Sequence, residues 1–270
     1  MAIDYNAWAT KYDDTRGVSP SVLPPLLAAL GPANDRRLLE IGGGTGNYAL
    51  ALASAGFYVA HSDPSHGMVQ RAATKLGGTL GHVIADGQAL PFADGSFDCA
   101  VAIKVINHVP DRPAFARESL RVLGTGPFVM LHATRESIEA NWVSHYAPSL
   151  LTLERFQPEA ETVEILRGAG YARVEVGHIR YSDIADGSAL ALKHSPETFL
   201  TDEHIMNTSL FSRMADGERE AALAAIRRDY RSGRLQEVIS SYEPACERHG
   251  DGSVFVAYPQ LKAHARGPGV

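Results

Sequence analysis

The chain reads as an α/β protein, an open and mostly parallel sheet with helices on both faces. Three observations predict that class. From residue 35 onward, short apolar runs alternate with helix-like stretches, the βαβα order of a doubly wound sheet. The first of those runs ends in a glycine-rich turn that opens directly into a helix. A chain of 270 residues, 45 % apolar and 21 % charged, is also long enough to bury a core on both sides of such a sheet.

Residues 1–34 precede the first strand and read as a helical cap over the sheet's carboxyl edge, bringing Tyr5, Trp8 and Tyr12 near a ligand. Trp8 and Tyr12 are also spaced i, i+4, which fits one packed helix face equally well. The core is expected over 35–182. Leu38, Leu39 and Ile41 make the first strand, near 37–41, and Tyr48 to Ala53 are apolar enough for a buried helix face. The second strand, near 57–62, runs into Asp63, and Pro64 and Ser65 can open the next helix. A third strand near 82–85 ends at Asp86, before a turn at Leu90-Pro91-Phe92. Phe97 to Ile103 reads as a fourth, fully buried strand. Pro113 suits the first turn of the helix that begins at Asp111-Arg112.

A fifth strand is expected over 126–132, a helix over 159–168, and a sixth strand from Arg173 to Tyr181. No further βα pair follows. Residues 183–247 are helix-like, with an amphipathic run from Glu218 to Arg231. An insert of that length reads as a lid over substrate or as a dimer surface. Residues 248–260 hold the last strand, near 252–258, and the tail 261–270 reads as disordered.

Glycine permits close backbone approach, and the free N–H groups of a first helical turn attract polar ligands. Two ligands fit the turn at 42–47. Gly44, Gly46 and Ala49 satisfy G-x-G-x-x-A, the relaxed dinucleotide fingerprint, and Asp63 stands where a ribose-binding acid belongs. Glu40, however, comes just before the turn. An acid there sits badly under a pyrophosphate and suits a zwitterionic tail beside a sulfonium cation.

The pattern Glu40-x-Gly42-x-Gly44-x-Gly46 resembles motif I of the class I S-adenosylmethionine (SAM) methyltransferases. Asp86, the Leu90-Pro91-Phe92 turn, Ser96-Phe97-Asp98 and Arg121-Val122-Leu123 resemble the small-molecule, type 11 or UbiE-like, group. The resemblance covers residues 35–135 well and 1–20 loosely. Gly124-Thr125-Gly126-Pro127 departs from the group's usual K-P-G-G, at a turn away from the cofactor. The resemblance implies a seven-stranded, Rossmann-like sheet of order 3-2-1-4-5-7-6 with an antiparallel last strand. It implies SAM as cofactor, held by Glu40, Gly42, Gly44, Gly46, Asp63, Met68, Asp86, Gly87 and Lys104, with Tyr12 and Arg16 from the cap. Asp86 would meet the adenine amino group and Arg16 the methionine carboxylate.

Methyl transfer needs alignment and exclusion of water, and a base only where the acceptor must lose a proton. His108, just after the fourth strand, is the candidate base, and the same position can equally line the cofactor. Tyr5, His132 and His145 are candidates for the acceptor pocket, although packing or surface roles suit both histidines. The activity expected is methyl transfer to an O, N or C atom of a small molecule. Two alternatives remain: a protein of this fold that binds SAM without methyl transfer, as a cyclase or non-catalytic partner, and an NAD(P)-linked oxidoreductase.

A net charge of −6 with scattered Lys and Arg gives no footprint for nucleic acid. No apolar run reaches the roughly 18 residues of a membrane span, and the N-terminus lacks the pattern of a signal peptide. Two cysteines, Cys99 and Cys246, are too few for a disulfide framework, and Cys99 lies mid-strand without a base beside it. No H-x-x-x-H or C-x-x-C spacing supports a metal site. These readings place the chain in the cytoplasm, without a membrane or nucleic-acid partner, as a monomer or homodimer.

Overall fold

Leu38, Leu39 and Ile41, each at most 1 % exposed, occupy the middle of a sheet covered on both faces. The computed structural model describes residues 4–76, 81–153, 156–185, 187–201, 208–212 and 214–260. The expected tail at 261–270 lies outside them. Seven strands form the sheet: β1 Arg37–Ile41, β2 Tyr58–Asp63, β3 Gly81–Ile84, β4 Cys99–Ile103, β5 Phe128–His132, β6 Tyr171–Ile179 and β7 Gly252–Pro259. Their order is β3-β2-β1-β4-β5-β7-β6. The first five pair in parallel, and β7 runs antiparallel to both β5 and β6. This is the order the resemblance implies.

The near-continuous apolar runs of β1, β4 and β5 follow from burial on both faces. Helices α2 (Leu23–Leu30), α3 (Asn47–Ser54) and α4 (His66–Leu76) cover one face, where Leu26, Leu52 and Ala72 pack on Leu38, Val59 and Val129. Helices α5 (Arg112–Val122) and α9 (Glu159–Ala169) cover the other, around Phe115, Phe128 and Phe255. Asp111 caps α5 by accepting from the Ala114 N–H at 2.8 Å.

Several boundaries differ from expectation for local reasons. The fifth strand begins at Phe128 rather than 126, because a Cβ on Gly126 would stand 1.9 Å from the Asp98 carbonyl oxygen, so that turn is packed backbone to backbone. Phe97 pairs only as an isolated bridge with Leu123, leaving β4 to start at Cys99. Gly170, at φ +112, closes α9 and lets β6 begin at Tyr171, whereas the Tyr181 N–H turns to the Asp251 carboxylate.

The amino-terminal segment is only partly a cap. Helix α1 (Tyr5–Trp8) stops at Trp8, so Tyr12, in a 3-10 turn over Tyr12–Asp14, does not share its helix face. Helix α2 buries Leu26 and Leu30 on a face of the sheet, not over its carboxyl edge.

The segment before β7 holds 3-10 turns Ala189–His194 and Pro196–Leu200, α10 (Ser209–Ser212), α11 (Asp216–Ser232) and α12 (Arg234–His249). Their apolar side chains, including Leu192, Phe211, Ile226 and Ile239, form a third cluster with Trp142. Trp142 lies in the stretch of short helices after β5: α6 (Arg135–Glu139), α7 (Val143–Tyr146) and α8 (Leu150–Leu153). No helix among the described residues is long and apolar enough to cross a membrane.

Candidate active site

The strand ends and the cap border a chamber open to solvent. Its floor is the turn between β1 and α3. Gly42 and Gly44 take left-handed backbone angles, φ +70 and +57. A Cβ on Gly42 would stand 2.6 Å from Val105, and one on Gly43 would stand 2.4 Å from the Glu40 carboxylate. Gly44 is different: the nearest atom to its missing Cβ is a Tyr12 ring carbon at 3.9 Å, so this backbone faces open space.

Beneath the turn, Glu40 is 1 % exposed, and its Oε2 has no hydrogen-bond partner among the described residues. Burial, reinforced by the Asp63 carboxylate, pushes its pKa up to about 8. Asp63 accepts from the Gly44 N–H and the Ser65 N–H, each at 2.9 Å, and so fastens the turn to the end of β2. Burial raises its pKa as well. His61, which the sequence reading missed, donates from Nε2 to the Gly44 carbonyl at 2.9 Å. Burial and the neighbouring His82 lower its pKa to about 4, so the ring is neutral near pH 7.

The cap is tied down by polar contacts. Asp13 accepts from Thr45 Oγ1 at 2.5 Å and Asn47 Nδ2 at 3.1 Å, and pairs with Lys75 at 2.8 Å. Asn6 Oδ1 accepts from Ser65 Oγ at 2.9 Å and from the Gly67 N–H at 2.8 Å. Tyr5, Tyr12 and Arg16 thereby stand against the chamber.

A second, smaller chamber adjoins the first. Arg16, Lys104 and His108 border both. Leu131, His132 and Ala133 wall it from the sheet side, and Leu190, Thr208 and Leu210 from the segment before β7. His132 is 1 % exposed and stacked on Phe255 at 5.0 Å, and burial lowers its pKa to about 4. His108 sits in a 3-10 turn over Ile106–His108, its Nε2 3.4 Å from the Tyr5 hydroxyl.

Of the residues singled out in the sequence, Glu40, Gly42, Gly44, Asp63, Met68, Lys104, Tyr5, Tyr12, Arg16 and His108 line the first chamber, and His132 lines the second. The others stand elsewhere. Gly46, at φ +79, starts α3 with its α-carbon packed on Leu76 and Ala72. Asp86 is exposed outside the lining, and its carboxylate accepts from the backbone and side-chain amide of Gln88 at 2.9 to 3.0 Å. A Cβ on Gly87 would stand 2.7 Å from the Phe115 ring, which makes it a packing glycine. His145 is exposed and borders neither chamber; its ring lies against Tyr146 and Tyr242 because α7 turns that side chain outward.

Residues 39–131 match the model of a family described as a methyltransferase domain. Over these residues the core is similar to methyltransferase domains, in line with the type 11 resemblance. An uncharacterized methyltransferase of Mycobacterium marinum is 38 % identical to the chain over 110 residues, 40 % of this chain and 43 % of that protein. An uncharacterized Mycobacterium tuberculosis protein is 37 % identical over 106 residues, 38 % of this chain and 39 % of its own length. The chain thus spans about two-fifths of the curated relatives it matches. A candidate methyltransferase from an antibiotic biosynthesis pathway of Anabaena variabilis shares the fold, with a TM-score of 0.77 at 24 % identity over 91 % of this chain and 99 % of that one.

The resemblance implies SAM as the cofactor. Two features of the first chamber suit it. A buried carboxylate with an unpartnered oxygen calls for a cationic or N–H-bearing group, and the bare Gly44 backbone admits a ligand in contact. Among the described residues no group of three or more His, Cys, Asp or Glu stands together as a metal site.

Proposed function

We propose that the protein transfers a methyl group from SAM to an O, N or C atom of a small molecule, with cofactor in the first chamber and acceptor in the second. The observation that carries the reading is Glu40, a buried carboxylate with one oxygen unpartnered among the described residues, at the foot of a glycine turn whose Gly44 backbone faces the chamber. When bound, SAM supplies an already activated methyl group. The chain's task is then to orient and to keep water out.

Glu40 stabilises the cationic end of the methionine tail, and Arg16, across the chamber, suits its carboxylate. Asp63 keeps lone pairs beyond its two amide bonds and accepts from ribose hydroxyls. Met68, Tyr12 and Trp8 supply apolar cover. His108 borders both chambers, so it is placed to take a proton from the acceptor as the methyl arrives. Leu190, Thr208 and Leu210 give the segment at 183–247 the role of a substrate wall and lid.

Incubation with methyl-tritiated SAM and pooled small-molecule extracts tests the reading. Label in an organic product together with S-adenosylhomocysteine (SAH) supports it. A rearranged but unlabelled product would establish a cyclase on the same cofactor pocket.

A further inference from the structure

The cap is held differently from the sheet beneath it. Of residues 4–18 only Ala9 is buried, so polar contacts and not apolar packing keep this segment in place. Asn6 and Asp13 fasten it to the glycine turn and to α4. Its far end is stitched to the start of the segment before β7. The Gly17 N–H donates to the Ala185 carbonyl at 2.7 Å. Gly187, at φ +57, packs so closely that a Cβ there would clash with the Thr15 carbonyl. At the centre of the seam, one oxygen of Asp183 accepts from Ser19 Oγ at 2.9 Å and from Ser21 Oγ at 2.8 Å. Its other oxygen accepts from the Ala185 N–H at 2.8 Å, and Ser21 Oγ in turn accepts from the Ser182 N–H at 2.9 Å.

The two sides of the seam differ in how firmly they are anchored. The segment that carries Asp183 continues into Ser188, Ala189 and Leu190, which wall the second chamber, and Leu190 and Leu192 are buried in the third apolar cluster. The cap has no such anchor, and it has reason to move. The Tyr12 ring is the nearest neighbour of the open Gly44 backbone, so a ligand lying on that backbone meets the ring. Its entry and exit require the cap to lift. Ser19, Ser21 and Asp183 border neither chamber, so they act on a ligand only through the segments they join.

We infer that Asp183 is a positioning residue, the latch by which the wall of the second chamber holds the cap shut over the first. The inference rests on the cofactor reading above. Stopped-flow mixing with SAH, read by tryptophan fluorescence and checked by a chase of tritiated SAH, tests it. Asp183→Ala should speed SAH dissociation roughly tenfold or more and leave association no slower. Ser21→Ala should give part of that increase and add nothing in the Asp183→Ala background, because both break the same latch. The Ser21 and Ser182 hydroxyls stand 2.8 Å apart, so Ser21→Cys combined with Ser182→Cys offers a reversible lock. The oxidised double variant should release SAH more slowly than the wild type, and reductant should restore the rate. Unchanged dissociation in Asp183→Ala, slowed association in that variant, or oxidised protein that exchanges SAH at the wild-type rate would overturn the inference. Wild-type protein that takes up no SAH would overturn the cofactor reading beneath it as well, and the same mixing experiment shows which has failed.

Discussion

Glu40 and Asp63 place two carboxylates under one glycine turn, and their protonation is linked to what the turn holds. Burial favours neutral Glu40, whose pKa rises from an ordinary carboxylate value to about 8. The native, unliganded state therefore binds more protons than the unfolded chain between about pH 4.5 and 8. This contribution to stability is full below that window and is lost as pH rises through it. A cationic group beside Glu40 favours the anion instead, so cofactor binding should expel a proton. Calorimetry near pH 6.5, in buffers of differing ionisation enthalpy, should find about one proton released per SAM bound. Glu40→Gln should abolish the release; a binding reaction with no proton exchange in the wild type would contradict the placement of a cation there. Asp63→Ala removes the acceptor of two backbone amides and of the proposed ribose bonds. It should weaken SAM by about 1.5–3 kcal/mol per charged hydrogen bond lost and lower the melting temperature. Unchanged SAM affinity in this variant would show that Asp63 acts only as a staple for the turn.

At the scale of elements, the turn is rigid because its neighbours leave it no room. Gly43→Ala would press a methyl group against the buried Glu40 carboxylate, 2.4 Å away, and should cost both stability and SAM affinity. Gly81→Ala meets nothing within 4 Å among the described residues and should change neither, so paired thermal melts separate a local clash from a general dislike of lost glycine. What the sequence made legible at this scale is what burial writes into it. β1, β4 and β5 are apolar on both faces because helices cover both, and Glu40 stands out because an acid there interrupts such a run. Contacts made between distant elements leave no such mark. His61 lies in a strand like any other residue, and only the fold brings its ring under the Gly44 carbonyl. Asp13 meets Thr45, Asn47 and Lys75 from a separate segment, so no spacing announces it. Helix α2 reads as cap from its place before β1, yet Leu26 and Leu30 are satisfied only on the face of the sheet. The exposed His145 shows the reverse limit: residue type alone does not say which way a short helix turns its side chain.

At the scale of the whole molecule, two chambers adjoin among the described residues: the sheet's carboxyl edge floors one, and the segment before β7 helps to wall the other. Residues shared between the chambers should therefore affect chemistry, and residues of the outer wall should affect only the acceptor. His108→Ala should lower kcat by roughly 10²–10⁴-fold with SAM affinity nearly unchanged if His108 moves a proton. If His108 instead lines the cofactor, SAM affinity falls first. Leu210→Ala, in the wall of the second chamber alone, should raise KM for the acceptor and leave SAM binding intact. The central claim is that the chamber over Glu40, Gly44 and Asp63 is built for a sulfonium amino-acid nucleoside and not for a dinucleotide. Calorimetric titration of the wild-type protein with SAH and with NAD tests it most directly. The account predicts SAH binding in the micromolar range and no detectable NAD binding; NAD binding tighter than SAH would contradict it.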